Sequence, residues 1–186
     1  MVKLTKIYTR TGDAGDSGLV DGSRVSKSSL RMAAIGEIDE ANAAIGMALA
    51  AVGTSRLGSE LLAIQNDLFD LGADVATPAE IDGALRIVAS QTERLEREID
   101  TMNSDLQPLT SFILPSGSQA VASLHLARTI VRRAERAAVA LNESVPLNAH
   151  ALAYLNRLSD LLFVAARYVA AGEGGDVLWR PGATRG

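Results

Sequence analysis

Residues 26–53 read S-K-S-S-L-R-M-A-A-I-G-E-I-D-E-A-N-A-A-I-G-M-A-L-A-A-V-G. Leu30, Ala33, Ala34, Ile38, Ala41, Ile45 and Leu49 recur in this stretch at steps of three and four, the spacing of one helix face. Ser26, Ser28 and Ser29 offer N-caps, and Gly53 stops the run. The face is built from alanine, leucine and isoleucine, and aromatic residues make up only 4% of the chain. Small side chains let helices approach closely, so the stretch predicts a helix packed on other helices.

The same pattern recurs downstream. A second helix is expected over 55–75, with Leu61, Leu62, Ile64, Leu68, Phe69 and Leu71 as its apolar face and Thr77-Pro78 as its end. A third starts near Ser90 and is mostly solvated, because Glu93, Arg94, Glu96, Arg97 and Glu98 crowd it. A loop follows over 103–116. A fourth helix, capped by Ser116 or Ser118, runs to about Leu141. A fifth spans 148–171 and ends at Gly172. The reading is all-α: a five-helix bundle with a ferritin-like up-down core and an irregular N-terminal loop. One domain is expected over 1–186, with the loop at 1–25, the bundle at 26–172 and an irregular tail at 173–186. Within the loop, residues 3–9 are expected to be extended.

Composition narrows the chemistry. The formal net charge is −4, which argues against broad nucleic-acid binding. There is no cysteine, so disulfides, thiolate nucleophiles and Cys-based metal sites are excluded. His125 and His150 are the only histidines. Neither has a glutamate three residues before it (Ala122 and Leu147 stand there), so the Glu-x-x-His pairs of a di-iron bundle are missing. Residues 1–6 show no secretory signal. The apolar run at 161–171 contains Arg167 and is too short to span a bilayer. A cytoplasmic protein is expected, with no membrane and no nucleic-acid partner.

Five groups of residues stand out against this background. Residues 9–18, T-R-T-G-D-A-G-D-S-G, place glycines beside hydroxyls, and such turns bring backbone N–H groups close to phosphates. Thr9, Thr11 and Ser17 add hydroxyls, and Arg10 and Lys27 add charge. The stretch is not a Walker A loop, since no lysine follows Gly15 or Gly18. It is not an EF-hand either, since Arg24 stands where the bidentate glutamate belongs. A flexible polar loop would have the same composition. On the fourth helix, Arg128, Arg132 and Glu135 fall within roughly 60° of arc, with Arg136 a step further round. Burying that stripe unpaired would cost several kcal/mol, so it must meet acids, a ligand or a second subunit, or else face solvent. Asp39 and Glu40 lie on the first helix, where Asp39 could pair with an arginine of the fourth. Asn156 and Asp160 share a face of the fifth, and Asn156, amid leucines, needs a hydrogen-bond partner. Phe112 sits in the loop before Pro115, with core packing as its default place. His125 is expected to be structural.

In combination, five segments resemble the PduO-type ATP:cob(I)alamin adenosyltransferases, or corrinoid adenosyltransferases. They are K-I-Y-T-R-T-G-D-A-G-D-S-G-L, A-I-G-E-I-D-E-A-N-A-A-I-G, F-I-L-P-S-G, R-T-I-V-R-R-A-E-R and L-N-R-L-S-D-L-L-F. They stand in the family's order and cover nearly the full chain. The resemblance implies a homotrimer with active sites between subunits, MgATP and cob(I)alamin as substrates, and adenosylcobalamin and triphosphate as products. By position, Thr9, Arg10, Thr11, Gly12, Ser17, Gly18 and Lys27 match the family's ATP-binding loop, here wrapping the triphosphate. Arg132, Arg133, Glu135 and Arg136 match its ATP-binding helix, with Glu135 the carboxylate that could reach Mg2+ through ATP. Asn156 matches an adenosine-side contact. Arg128 and Asp39 match an ion pair across the subunit interface. Phe112 matches an aromatic that shields the lower corrin face and displaces the axial ligand. Arg132, Phe112, Asp39 and Arg128 form the implied catalytic set.

One departure is Ala14, where many members carry lysine. It removes a phosphate-facing charge that Arg10 is placed to replace. Cob(I)alamin is itself a strong nucleophile, which fits a chain with no thiol and no catalytic triad. The alternative function is a non-catalytic nucleotide- and corrinoid-binding or delivery module. Further partners implied are a flavoprotein reductase and an adenosylcobalamin-dependent enzyme.

Overall fold

The computed structural model describes residues 7–78 and 81–185. Residues 1–6, which carry the expectation of no secretory signal, lie outside it, as does most of the stretch expected to be extended; residues 7–9 form no strand. Five helices follow one another: α1 (Leu30–Val52), α2 (Arg56–Ala76), α3 (Ala89–Asn103), α4 (Gln119–Asn142) and α5 (Ala149–Ala171). No helix among the described residues is long and apolar enough to cross a membrane. The opening segment is more ordered than its glycines suggest. It holds a small antiparallel hairpin of β1 (Asp16–Gly18) and β2 (Arg24–Ser26), with Ser17 opposite Val25.

Four helix starts are set by side-chain caps. Ser29, the last of three candidate serines, accepts from the Met32 N–H. Ser55, Ser118 and Asn148 do the same for Gly58, Val121 and His150. Each cap satisfies one orphan donor and stabilises its helix by about 1 kcal/mol. The α1–α2 corner is tight. Gly53 takes φ 67°, and a Cβ on Gly58 would lie 2.1 Å from the Gly53 carbonyl. Gly58 has no room for a side chain, and Gly53 holds a positive φ that side-chain-bearing residues rarely adopt.

α1 packs most extensively on α4 and then on α2, while α5 packs on α4 and α3. One buried cluster draws on all five helices. Ala34, Ala41 and Ala48, seven residues apart on α1, are fully buried, as are Ala127 and Ala134 on α4. Between them sit Ile38, Ile45, Leu124, Leu155 and Leu158. On α2 the buried stripe is narrower than expected. Leu61, Ile64, Leu68 and Leu71 are buried, but Leu62 is 55% and Phe69 71% exposed. Each of those two lies about 100° round the helix from the buried residue before it, which turns it off the core.

α3, largely charged, is attached by a polar network as well as by Leu95 and Met102. The buried Asp67 carboxylate accepts from Arg94 (2.6 Å), the Tyr154 hydroxyl (2.7 Å) and Gln91 (2.9 Å), and Arg94 also reaches Glu60 (2.9 Å). Burial raises the Glu60 carboxyl against the pull of Arg94. Burial and the Asp67 charge raise the Tyr154 hydroxyl. Breaking such a satisfied buried group costs several kcal/mol, because its partners are left unpaired.

The helix order places the opening hairpin and the 105–116 loop at opposite ends. Ala51 and Val52 of α1 line one cleft with Ala120 of α4 and Val169 of α5. The C-terminus of α1 therefore meets the start of α4 and the end of α5. The hairpin precedes the other end of α1, about 35 Å away at 1.5 Å per residue over its 23 residues.

Candidate active site

The opening loop folds on itself in a way that keeps its cations available. The N–H of Gly15 donates to the Gly12 carbonyl (3.2 Å), and the N–H of Lys27 to the Gly15 carbonyl (2.8 Å). Lys27 Nζ donates to the Gly12 carbonyl (2.8 Å), and Arg24 Nη2 to the Thr11 carbonyl (2.6 Å). A Cβ on Gly12 would come within 3.0 Å of Lys27 Nζ, so glycine there lets the lysine close over the turn. The Thr9 and Thr11 hydroxyls share a hydrogen bond of 2.8 Å. Arg10, at φ 64°, holds a left-handed conformation that is unusual for a side-chain-bearing residue, with its guanidinium 5.9 Å from the centre of the Tyr8 ring. Such strain costs on the order of 1–3 kcal/mol and concentrates at ligand clamps. Among the described residues no acid pairs with Arg10, Arg24 or Lys27. Ser17 and Gly18 lie in β1, and Ala14 is exposed at the turn.

On α4, Arg128, Arg132 and Arg136 are spaced by four and share a face. Arg128 is half-buried, with a buried Nε that has no partner among the described residues, and it lies 6.0 Å over the Phe163 ring. Burial, and then the neighbouring Arg132 charge, hold its guanidinium below the ordinary value. Arg132 is exposed and makes no ion pair among the described residues; Arg136 donates only to the Arg132 carbonyl (2.9 Å). Like charges at this spacing repel. Three arginines on one face that pair with no acid among the described residues favour an anionic occupant.

Arg133 points elsewhere. It pairs with Glu37 at 2.5 Å and with Glu40, and these bonds raise its pKa. Within the chain, then, Asp39 does not pair with α4: its neighbours Glu37 and Glu40 do, and Asp39 stays exposed without a partner among the described residues. The reason is phase. Glu37 and Glu40 are three residues apart on the α4 side of α1, and Asp39 is rotated off it. The partner expected for Asn156 is Glu135, at 2.8 Å. Asp160 pairs instead with Arg157, at 2.7 Å.

His125 is buried beside Arg128, edge-on to Phe163 with ring centroids 6.4 Å apart, and its Nδ1 lacks a partner among the described residues. Burial, then the Arg128 charge, push its pKa below 6.5. The unfolded chain therefore takes up this proton more readily than the folded one. Stability from the neutral ring is complete above the unfolded pKa and is lost as pH falls below it. Melting temperature is expected to fall as pH drops below about 6.5, and His125→Asn should remove part of that slope. Parallel melting curves for the two proteins across this range would contradict the assignment.

Phe112 does not pack in the core. It is 78% exposed, with its ring edge-on to Trp179 at 6.0 Å. The 105–116 loop and the tail reach it from the end of the bundle where α4 begins. Lys27 and Phe112 thus sit near opposite ends of one chain, too far apart to hold one nucleotide between them.

A sequence profile described as cobalamin adenosyltransferase matches residues 7–169. The chain is 52% identical to the corrinoid adenosyltransferase of Mycobacterium tuberculosis strain H37Rv, over 99% of this chain and 97% of that protein. It is 48% identical to the corrinoid adenosyltransferase of Bacillus subtilis, over 92% and 91%. The chain belongs to the cobalamin adenosyltransferase family. A solved structure of a variant PduO-type ATP:corrinoid adenosyltransferase from Lactobacillus reuteri, with phenylalanine exchanged for alanine and complexed with cobalamin and ATP, superposes with a TM-score of 0.88. It is 39% identical and covers 94% of this chain and 99% of that one. The five-helix fold is the fold of this family.

For a family member, the geometry sorts the expected residues into groups. Thr9, Arg10, Thr11, Gly12 and Lys27 are brought together in one turn. Arg132, Arg136, Glu135 and Asn156 gather on the α4–α5 surface. Arg133 is drawn to α1, and Asp39 and Arg128 are separate within one chain. Arg24, Glu37 and Trp179 were not read as site residues from the sequence, because each owes its place to a partner at least 13 residues away, and Glu40, noted beside Asp39, proves to be the one of that pair that meets α4.

Proposed function

We propose that the chain transfers the 5′-deoxyadenosyl group of ATP to the cobalt of cob(I)alamin, at sites formed between copies of itself in a homotrimer. The observation that carries this reading is the face of α4 that bears Arg128, Arg132 and Arg136, none of which pairs with an acid among the described residues. Its complement, the cationic opening loop, leads into α1, and its Arg24 and Lys27 donate to backbone carbonyls of the loop itself. A neighbouring copy would bring the loop of one protomer onto α4 of the next. The unpaired Arg128 and the exposed Asp39 are then the natural contact between copies.

In the reaction, the Co(I) electron pair attacks C5′ of ATP, the C5′–O bond breaks, and triphosphate leaves with that bond's electrons. The chain supplies no nucleophile. Its residues orient C5′ and stabilise the charge that develops on the leaving oxygens. Arg132 and Arg136 donate from α4, while Lys27, Arg10 and the turn's amides donate from the loop. Glu135 supplies one carboxylate with Asn156 steadying it. One carboxylate together with substrate phosphates is a common way to hold Mg2+, which would neutralise leaving-group charge. Asn156 also stands where an adenosine contact belongs. Ala14 leaves the phosphate field one lysine short, with Arg10 adjacent. Phe112 shields the lower corrin face. The chain acts as one adenosyltransferase domain over 1–186, in the cytoplasm, fed electrons by a flavoprotein reductase and handing its product to an adenosylcobalamin-dependent enzyme.

Mixing the protein with ATP and chemically reduced cobalamin should produce the visible spectrum of a Co–C bond, with triphosphate released in equal amount. Binding of both substrates without that spectrum would refute catalysis. Asp39→Asn should shift the sizing-chromatography profile toward smaller species and lower activity in parallel. A fully active trimer of that variant would rule out the Asp39–Arg128 contact.

A further inference from the structure

An aromatic ring that is 78% exposed is not held by a core, so something else must fix Phe112. The tail does so. Past α5 it turns back and runs antiparallel to the loop, with Ile113 bridged to Leu178. The Leu114 N–H donates to the Val177 carbonyl (2.8 Å), the Trp179 N–H to the Phe112 carbonyl (2.8 Å), and the Ser111 hydroxyl to the Trp179 carbonyl (3.0 Å). Beneath this ladder the buried Arg167 of α5 grips both strands. Its Nε donates to Asp176 (3.0 Å) and its Nη2 to the Gln107 carbonyl (2.8 Å). Trp179 then lays its indole edge-on to Phe112 at 6.0 Å, with 64° between the planes.

We propose that Trp179, presented by this tail strand, is a positioning residue that holds the Phe112 ring against the corrin face. The inference rests on the reading of Phe112 given above. A ring that must exclude a coordinating base has to keep its place while that base competes for cobalt. A supporting contact that locks its rotamer is what gives it that persistence. The backbone ladder sets where Phe112 emerges, and the indole removes the ring's remaining freedom to swing. Trp179 is itself 44% exposed and outside the helical core, so its loss should leave the bundle intact.

The test compares Phe112→Ala, Trp179→Ala, Trp179→Phe and Trp179→Leu, each loaded with ATP and cob(II)alamin. The readout is the fraction of four-coordinate Co(II), by electron paramagnetic resonance and visible absorption. Trp179→Ala and Trp179→Leu should cut that fraction in the same direction as Phe112→Ala, with roughly tenfold slower Co(II)-dependent turnover, the upper end of an aromatic pair's worth. Trp179→Phe should retain most of it. In the Trp179 variants, ATP KM and turnover with prereduced Co(I) should stay within about twofold, since neither depends on the axial ligand. Trp179 is the only tryptophan, so its emission should also shift in Phe112→Ala. If Phe112→Ala loses the four-coordinate form while Trp179→Ala and Trp179→Leu keep it, the positioning role is overturned and the reading of Phe112 stands. If Phe112→Ala keeps it, both fall. Trp179→Leu retains apolar bulk, so it decides the matter should the alanine variant fold poorly.

Discussion

Phe112→Ala should separate two assays that the unaltered protein passes together. Turnover starting from Co(II) is expected to fall by about two orders of magnitude, while turnover with prereduced Co(I) should fall by less than about tenfold. Making Co(I) requires a very low potential. Removing the lower axial base lowers the energy of the orbital that accepts the electron, and so raises that potential. A shift of about 120 mV in a one-electron couple changes the reducible fraction about a hundredfold. An apolar ring can favour the base-free form by occupying the base's space without offering a ligand, and Phe112 is exposed enough to do so. The adenosyl transfer from Co(I) needs none of this, since Co(I) holds no such base. Equal losses in both assays would refute the role.

Arg132→Ala should act on the other substrate. Arg132 is exposed, pairs with no acid among the described residues, and sits between Arg128 and Arg136 on one face of α4. Removing one donor aimed at developing charge typically costs about 10²–10³ in rate. The expected result is a fall of that order in kcat/KM for ATP, with the KM for cobalamin little changed. Arg132→Lys should fall between the two, since it keeps the charge but loses the two-pronged fork that fits a phosphate. Unchanged ATP kinetics in the alanine variant would count against the assignment.

The helices were legible because their signals are local. The three-and-four spacing in α1, the serine caps at 29, 55 and 118, and the glycine at 53 each act within a few residues. Phase errors appeared where a stripe was drawn too wide, as with Leu62 and Phe69 on α2. The hairpin of β1 and β2 was missed because three-residue strands have too few positions for a period to show. The arginine stripe of α4 was legible, since it depends only on helical spacing. Which acid it meets was not. Asp39 and Glu37 are two residues apart, and only the rotation of α1 against α4 gives Arg133 to Glu37 and Glu40. The exposure of Phe112 was hidden for the same reason: an apolar residue in a loop reads as core until the path of the tail is known.

Composition and periodicity alone thus dictate an alanine-rich helical bundle with a polar, glycine-turned entrance, because propensity, capping and amphipathicity act over one or two turns of chain. The pairing of Arg133 with α1, the placing of Arg128 over Phe163, and the seating of Phe112 on Trp179 were decided by the folded chain. They join residues 35 to 96 positions apart, and such contacts exist only once helices have taken their mutual rotation and the tail its course.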